Sequence, residues 1–149
     1  MRRRGLLALG IASAGWPLHA QAGMADTVAR IKPSVVLVGT YRETDNPRFQ
    51  LRGTGFIAGS GQRVVTCSHV LPAVDGVPRD QDLVVQLLRP DGEWVRRAVR
   101  LQAFDARSDL ALLSLEGGTG PALALGDSAQ VREGDELAFM GFPIGNLLG

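Results

Sequence analysis

The spacing of hydrophobic residues changes several times along the chain, and each change marks a predicted element. Over residues 24–32, Val28 and Ile31 stand three apart among polar neighbours and Pro33 follows, which predicts a short helix ending before the proline. This helical lead-in, residues 23–34, is expected to cap what comes next. From residue 35 the pattern is that of strands. Val35-Val36-Leu37-Val38-Gly39-Thr40 is a β-branched run, and after a polar loop over 42–50 a second strand is expected over 51–58. Gly59-Ser60-Gly61-Gln62 reads as a turn into a third strand, 63–66, which leads to Cys67-Ser68-His69. A loop rich in Pro and Asp then runs to Gln81.

The alternation resumes over 83–88. Pro90-Asp91-Gly92 then marks a hairpin turn, because proline presets one central torsion and glycine relieves the position that needs positive φ, and a long strand follows over 94–104. Residues 110–115 lack a polar face and are expected to pack on both sides. A last strand is expected over 136–141. Some seven short strands with almost no helix predict an all-β domain whose antiparallel sheet is closed or folded on itself.

Composition agrees with an ordinary globular chain: 149 residues, 45% hydrophobic and 21% charged, exclude disorder and suit one domain. A single Cys excludes an intramolecular disulfide, and two His with no metal-ligand spacing give no reason to expect a metal or other cofactor. The N-terminus changes the picture further. Arg2-Arg3-Arg4, an apolar stretch over 5–16, Pro17 and then Ala20-Gln21-Ala22 form the pattern of a signal peptide, 1–22, cleaved after Ala22. The apolar run is too short to span a bilayer, so a periplasmic or secreted address is expected, with no membrane span after signal removal. Removing three of the 16 basic residues leaves 13 against 15 acidic, a net charge of −2 without like-charged blocks, so nucleic acid is not an expected partner.

Export leaves one imidazole, His69, at the point where an apolar strand gives way to a loop. A lone histidine is ordinarily a partly buried packing residue. Forty residues on, however, Asp105-Ala106-Arg107-Ser108-Asp109 opens into an apolar strand. Asp105 reads as a turn residue capping a backbone N–H. Asp109 stands at the lip of the core, where a buried carboxylate needs a partner. Brought to the imidazole, it fixes the tautomer, orients the ring and stabilises the imidazolium formed on taking a proton from a nucleophile.

Five motifs now coincide in order and spacing over about residues 28–145. Gly53-Thr54-Gly55-Phe56-Ile57, Val64-Val65-Thr66-Cys67-Ser68-His69-Val70, Ser108-Asp109-Leu110-Ala111-Leu112-Leu113, Leu125-Gly126-Asp127-Ser128 and Gly141-Phe142-Pro143-Ile144-Gly145 resemble the HtrA/Deg branch of trypsin-like serine proteases. The resemblance implies a chymotrypsin-like fold of two six-stranded antiparallel barrels, with histidine and aspartate on the first and serine on the second. In that frame the first barrel is expected over 35–141 and the start of the inter-barrel connection over 142–149. His69 matches the general base, and Asp109 matches the orienting carboxylate. Gly53 and Gly55 match a glycine pair in the strand before the histidine. Asp127 matches a recurring turn with no assigned chemistry.

The family's nucleophile arrives last, in a Gly-Asn-Ser-Gly-Gly-like segment that also forms the oxyanion hole. No such segment is present; Ser60 and Ser128 occur in the wrong order to replace it. Cys67, two residues before His69, reads as a small buried residue rather than a substitute nucleophile. The expectation is therefore the His/Asp half of an exported serine endopeptidase, cut short, inactive alone and exposing apolar surface. The alternative is a non-catalytic barrel that binds a partner or unfolded polypeptide. The resemblance implies polypeptide substrates. Oligomers and PDZ modules occur in the family, but no residue here speaks to either.

Overall fold

A computed structural model describes residues 23–74 and 76–142; the proposed leader and residues 143–149 lie outside the described residues. The lead-in is a helix, α1 (Met24–Ile31), whose Val28 and Ile31 are half-buried. A 3₁₀ turn, Lys32–Ser34, carries Pro33 in its first positions, where a missing N–H costs nothing.

The β-branched run becomes β1 (Val35–Tyr41), and β2 (Phe49–Ala58) and β3 (Arg63–Thr66) follow. After the loop come β6 (Leu83–Leu88), β7 (Trp94–Asp105) and β8 (Leu110–Leu115), with β6 and β7 joined across the Pro90-Asp91-Gly92 turn. These six strands close into an antiparallel barrel in the order β1-β2-β3-β8-β7-β6, with β6 returning to β1. The all-β class is as expected. The Pro- and Asp-rich loop holds a small hairpin that strand patterning missed, β4 (Ala73–Val74) with β5 (Val77–Pro78), because two-residue strands show no period.

Two expectations are corrected. Residues 136–141 form no strand among the described residues: the six barrel strands pair with one another, and none of their ladders takes in this segment. The segment instead leaves Phe139 99% exposed, and the chain is tied to the barrel at Phe142, whose N–H donates to Thr54 Oγ1 at 2.8 Å and whose ring meets Trp94 edge-on at 5.5 Å. The second correction concerns β8. It is not packed on both faces: Ala111, Leu113 and Leu115 point inward while Leu110 is half exposed, so the apolar run conceals an ordinary alternation.

The barrel interior is filled by Val36, Val38, Ile57, Val64, Val85, Val99, Ala111 and Leu113. Val70 and Leu71 join this cluster from the turn after β3, so the loop that carries His69 is anchored to the core by the residues that follow it. Gly53 in β2 makes room for that anchor, and Gly55 makes room for the neighbouring strand β3. A Cβ on Gly53 would sit 2.6 Å from Val70 Cγ2, inside any permitted contact, and one on Gly55 would meet the Val65 carbonyl at 2.8 Å. Leu113 is fully buried at the centre of the cluster, so Leu113→Ala should lower the stability of the chain by about 2–5 kcal/mol. Urea denaturation followed by tryptophan fluorescence measures this; a loss below about 1 kcal/mol would show that the barrel interior collapses freely around the void.

Candidate active site

Antiparallel pairing of β3 with β8 sets Thr66 opposite Ala111, and the ladder continues one step beyond both strands, where the Ser68 N–H donates to the Asp109 carbonyl at 3.1 Å. Residues far apart in sequence therefore emerge side by side at one end of the barrel. On one side the chain leaves β3 through Cys67 and tightens into a 3₁₀ turn, Ser68–Val70. On the other, a tight turn over 106–109 leads into β8. Asp105 shapes that turn as expected, accepting from the Arg107 N–H at 2.9 Å and from Ser108 Oγ at 2.7 Å.

Asp109 closes the turn at φ 52°, a left-handed conformation that favours glycine and that aspartate tolerates better than most residues. Glycine there would relax the backbone and lose the carboxylate. That carboxylate is fully committed. Oδ1 accepts from Ser68 Oγ at 2.8 Å and from the His69 N–H at 3.0 Å, and Oδ2 faces His69 Nδ1 at 2.6 Å. Both sequence-selected residues thus meet in one hydrogen bond. Beneath them the Arg52 guanidinium donates to the carbonyls of Val70 at 2.6 Å and Leu71 at 3.3 Å, holding the end of the turn that carries the imidazole.

Asp109 was expected to be buried, but its side chain is 46% exposed and that of His69 is 70% exposed. The pair lies on the outside of the barrel end, where the described chain does not cover it. Desolvation consequently has little influence on the carboxyl group. The His69 backbone N–H, then the Ser68 hydroxyl, then the His69 ring lower its pKa to about 2. The carboxylate is therefore anionic at neutral pH, which places the proton of the neutral imidazole on Nδ1 and the free lone pair on Nε2. The arrangement is an imidazole oriented by a carboxylate, with one ring nitrogen left open to solvent.

Cys67 is half-buried and packs against the core cluster. Burial, followed by the charge of Asp109 and a hydrogen bond to it, pushes the thiol pKa up. A thiol so held is a poor nucleophile. A cleft of about 350 Å³ opens beside the pair, lined among others by Ser68, Leu71, Phe104 and Ala106. Ser68 is the serine in that lining, and its hydroxyl is spent on Asp109. Ser60 sits in the turn before β3, at the far end of that strand from His69. Ser128 begins a 3₁₀ turn, Ser128–Gln130, which Asp127 caps by accepting from the Ala129 N–H at 3.0 Å. Sequence reasoning did not find the roles of Ser68 and Arg52; the Ser68 bond depends on the β3–β8 register and carries no local signature.

A family model described as a trypsin-like peptidase domain matches residues 53–148. Human serine protease HTRA3 is 28% identical over 147 residues, 95% of this chain and 31% of that protein. The "Probable periplasmic serine endoprotease DegP-like" of Pseudomonas putida (strain GB-1) is 32% identical over 96 residues, 64% of this chain and 18% of that protein. Among solved structures, the apo protease domain of MamO from Magnetospirillum magneticum aligns with a TM-score of 0.44 and 24% identity over 61% of this chain and 42% of that one. The chain spans less than a third of the length of these two curated relatives.

Ser68→Ala removes one of the three donors to Asp109, so the carboxyl pKa should rise from about 2 toward its ordinary value, read by NMR titration of the side-chain carboxyl carbon. An unchanged titration would remove the hydroxyl from the electrostatics of the pair. Because folding lowers this pKa, the associated stability is present above the unfolded carboxylate value of 3.8 and is lost as pH falls toward about 2.

Proposed function

The chain belongs to the trypsin-like peptidase family, in its HtrA-type branch, and from that premise we propose that it carries the general base and orienting carboxylate of an exported serine endopeptidase. The observation that carries the reading is the His69 Nδ1 to Asp109 Oδ2 bond of 2.6 Å at the rim of a closed six-stranded barrel. His69 Nε2 takes the proton of a serine hydroxyl as that oxygen attacks the scissile carbonyl of a polypeptide. Asp109 stabilises the resulting imidazolium without itself taking the proton. His69 then returns the proton to the departing amine, and water attacks the acyl-enzyme with the same base.

The reading assigns the nucleophile and the oxyanion donors to polypeptide outside these 149 residues, which contain no Gly-Asn-Ser-Gly-Gly-like segment. The barrel, whose strands run from Val35 to Leu115, is then part of one half of the protease, and the wall of the substrate-specificity pocket belongs to the other half. Without nucleophile and oxyanion hole the remaining pair has little to act on, since triad members work as a unit. The N-terminal leader pattern supports export to the periplasm or beyond. A second reading, a barrel that binds a partner chain without catalysis, is favoured by the exposed side chains of Leu125, Leu137 and Phe139.

One experiment tests where the nucleophile lies, and a second separates the two readings. The 149-residue chain should take up no serine-directed fluorophosphonate probe, and covalent labelling of any of its serines would contradict the assignment of the nucleophile. Sequencing the gene beyond codon 149 should reveal an in-frame or frameshifted Gly-x-Ser-Gly-Gly segment. A stop codon at that point, with the chain expressed, would instead favour the binding module.

A further inference from the structure

We propose that Cys67, His69 and Asp109 form a binding site for one divalent transition-metal ion of the Zn²⁺ class. Cys67 Sγ, a ring nitrogen of His69 and a carboxylate oxygen of Asp109 all lie within 4.8 Å of one another. In a tetrahedral zinc site, bonds of about 2.0–2.3 Å hold ligand atoms about 3.3–3.8 Å apart. The His69 Nδ1 to Asp109 Oδ2 separation of 2.6 Å must open by about 1 Å, and no donor pair exceeds the upper value by more than about 1 Å.

The donor chemistry selects the ion. Thiolate and imidazole favour borderline-soft Zn²⁺ over Mg²⁺ or Ca²⁺, which take oxygen ligands. Outer-sphere support is already in place. Asp109 Oδ1 is fixed by the Ser68 hydroxyl and the His69 N–H, so Oδ2 coordinates by giving up its bond to the His69 ring. Both backbones are pinned, Asp109 by its carbonyl's bond to the Ser68 N–H and Cys67 by the end of β3. The cleft that His69 and Asp109 line gives solvent access to their side of the site, from which a water molecule completes the coordination.

On binding, the thiol gives its proton to solvent, and the ring proton of neutral His69 moves from Nδ1 to Nε2 as Nδ1 takes the metal. Nε2 becomes a donor and ceases to be a base. The ion thus switches off the pair that the endopeptidase reading depends on. That consequence rests on the reading; the metal site itself does not.

The full chain, titrated with Zn²⁺ in competition with a chromophoric chelator, should bind one equivalent at least about 10-fold more tightly than Cys67→Ser or His69→Ala. With Co²⁺ it should show a near-ultraviolet thiolate charge-transfer band that Cys67→Ser abolishes. Should a variant fail to fold, the wild-type chain still decides. Its single Cys should be shielded from iodoacetamide by stoichiometric Zn²⁺, and unchanged alkylation would overturn the site. Equal Zn²⁺ affinity of wild type and Cys67→Ser would overturn it as well. Failure of metal binding while the His69 ring stays bonded to Asp109 removes the metal site alone, whereas loss of that bond removes the endopeptidase reading too.

Discussion

Pairing of β3 with β8 is the constraint on which the candidate site depends. It sets Thr66 beside Ala111, and one hydrogen bond past the strand ends it carries the Ser68 turn against Asp109. Neither residue of the pair belongs to a regular strand. Each sits just beyond one, where the backbone can turn and the side chain is free of the barrel wall. The core supplies rigidity: Val64 and Leu113, register partners in this ladder, are both fully buried, and Val70 and Leu71 reach into the same cluster from the turn. In the endopeptidase reading, a base held on such a frame would lose little entropy when it acts, which is the condition for acid–base chemistry at a fixed geometry.

Polarity at the site is arranged with the same economy. Asp109 adopts a left-handed backbone and aims both oxygens back over the Ser68–Val70 turn, so that two N–H groups and a hydroxyl converge on one carboxylate. These bonds, rather than burial, keep it ionised. The pair stays exposed to solvent while the strands, the core cluster and Arg52 hold the backbone beneath it. In the endopeptidase reading that exposed face is where the nucleophile and substrate arrive. In the metal reading, Cys67 enters from the core side and shares the same carboxylate.

Much of this was legible from residue order because it is written locally. The β-branched run at Val35, the Pro90-Asp91-Gly92 turn and the change of period after Pro33 each report the structure of their own neighbourhood. His69 and Asp109 stood out because each lay where an apolar run met a polar turn. Non-local facts were not legible. An apolar segment such as 136–141 reads as a strand wherever it occurs, and only the ladders of the closed barrel show that it is not among their partners. The 46% exposure of the Asp109 side chain, the Ser68 hydroxyl bond and the Arg52 clamp all follow from register across the barrel, which single-residue patterns do not encode.

The most direct test of the account is the position of one proton. Nitrogen-15 NMR of the His69 ring in the full chain, recorded where the imidazole is neutral, should find the proton on Nδ1, with a downfield resonance that disappears in Asp109→Asn. A ring protonated mainly on Nε2, or an Nδ1 proton indifferent to that substitution, would contradict the claim that Asp109 orients His69 as a base.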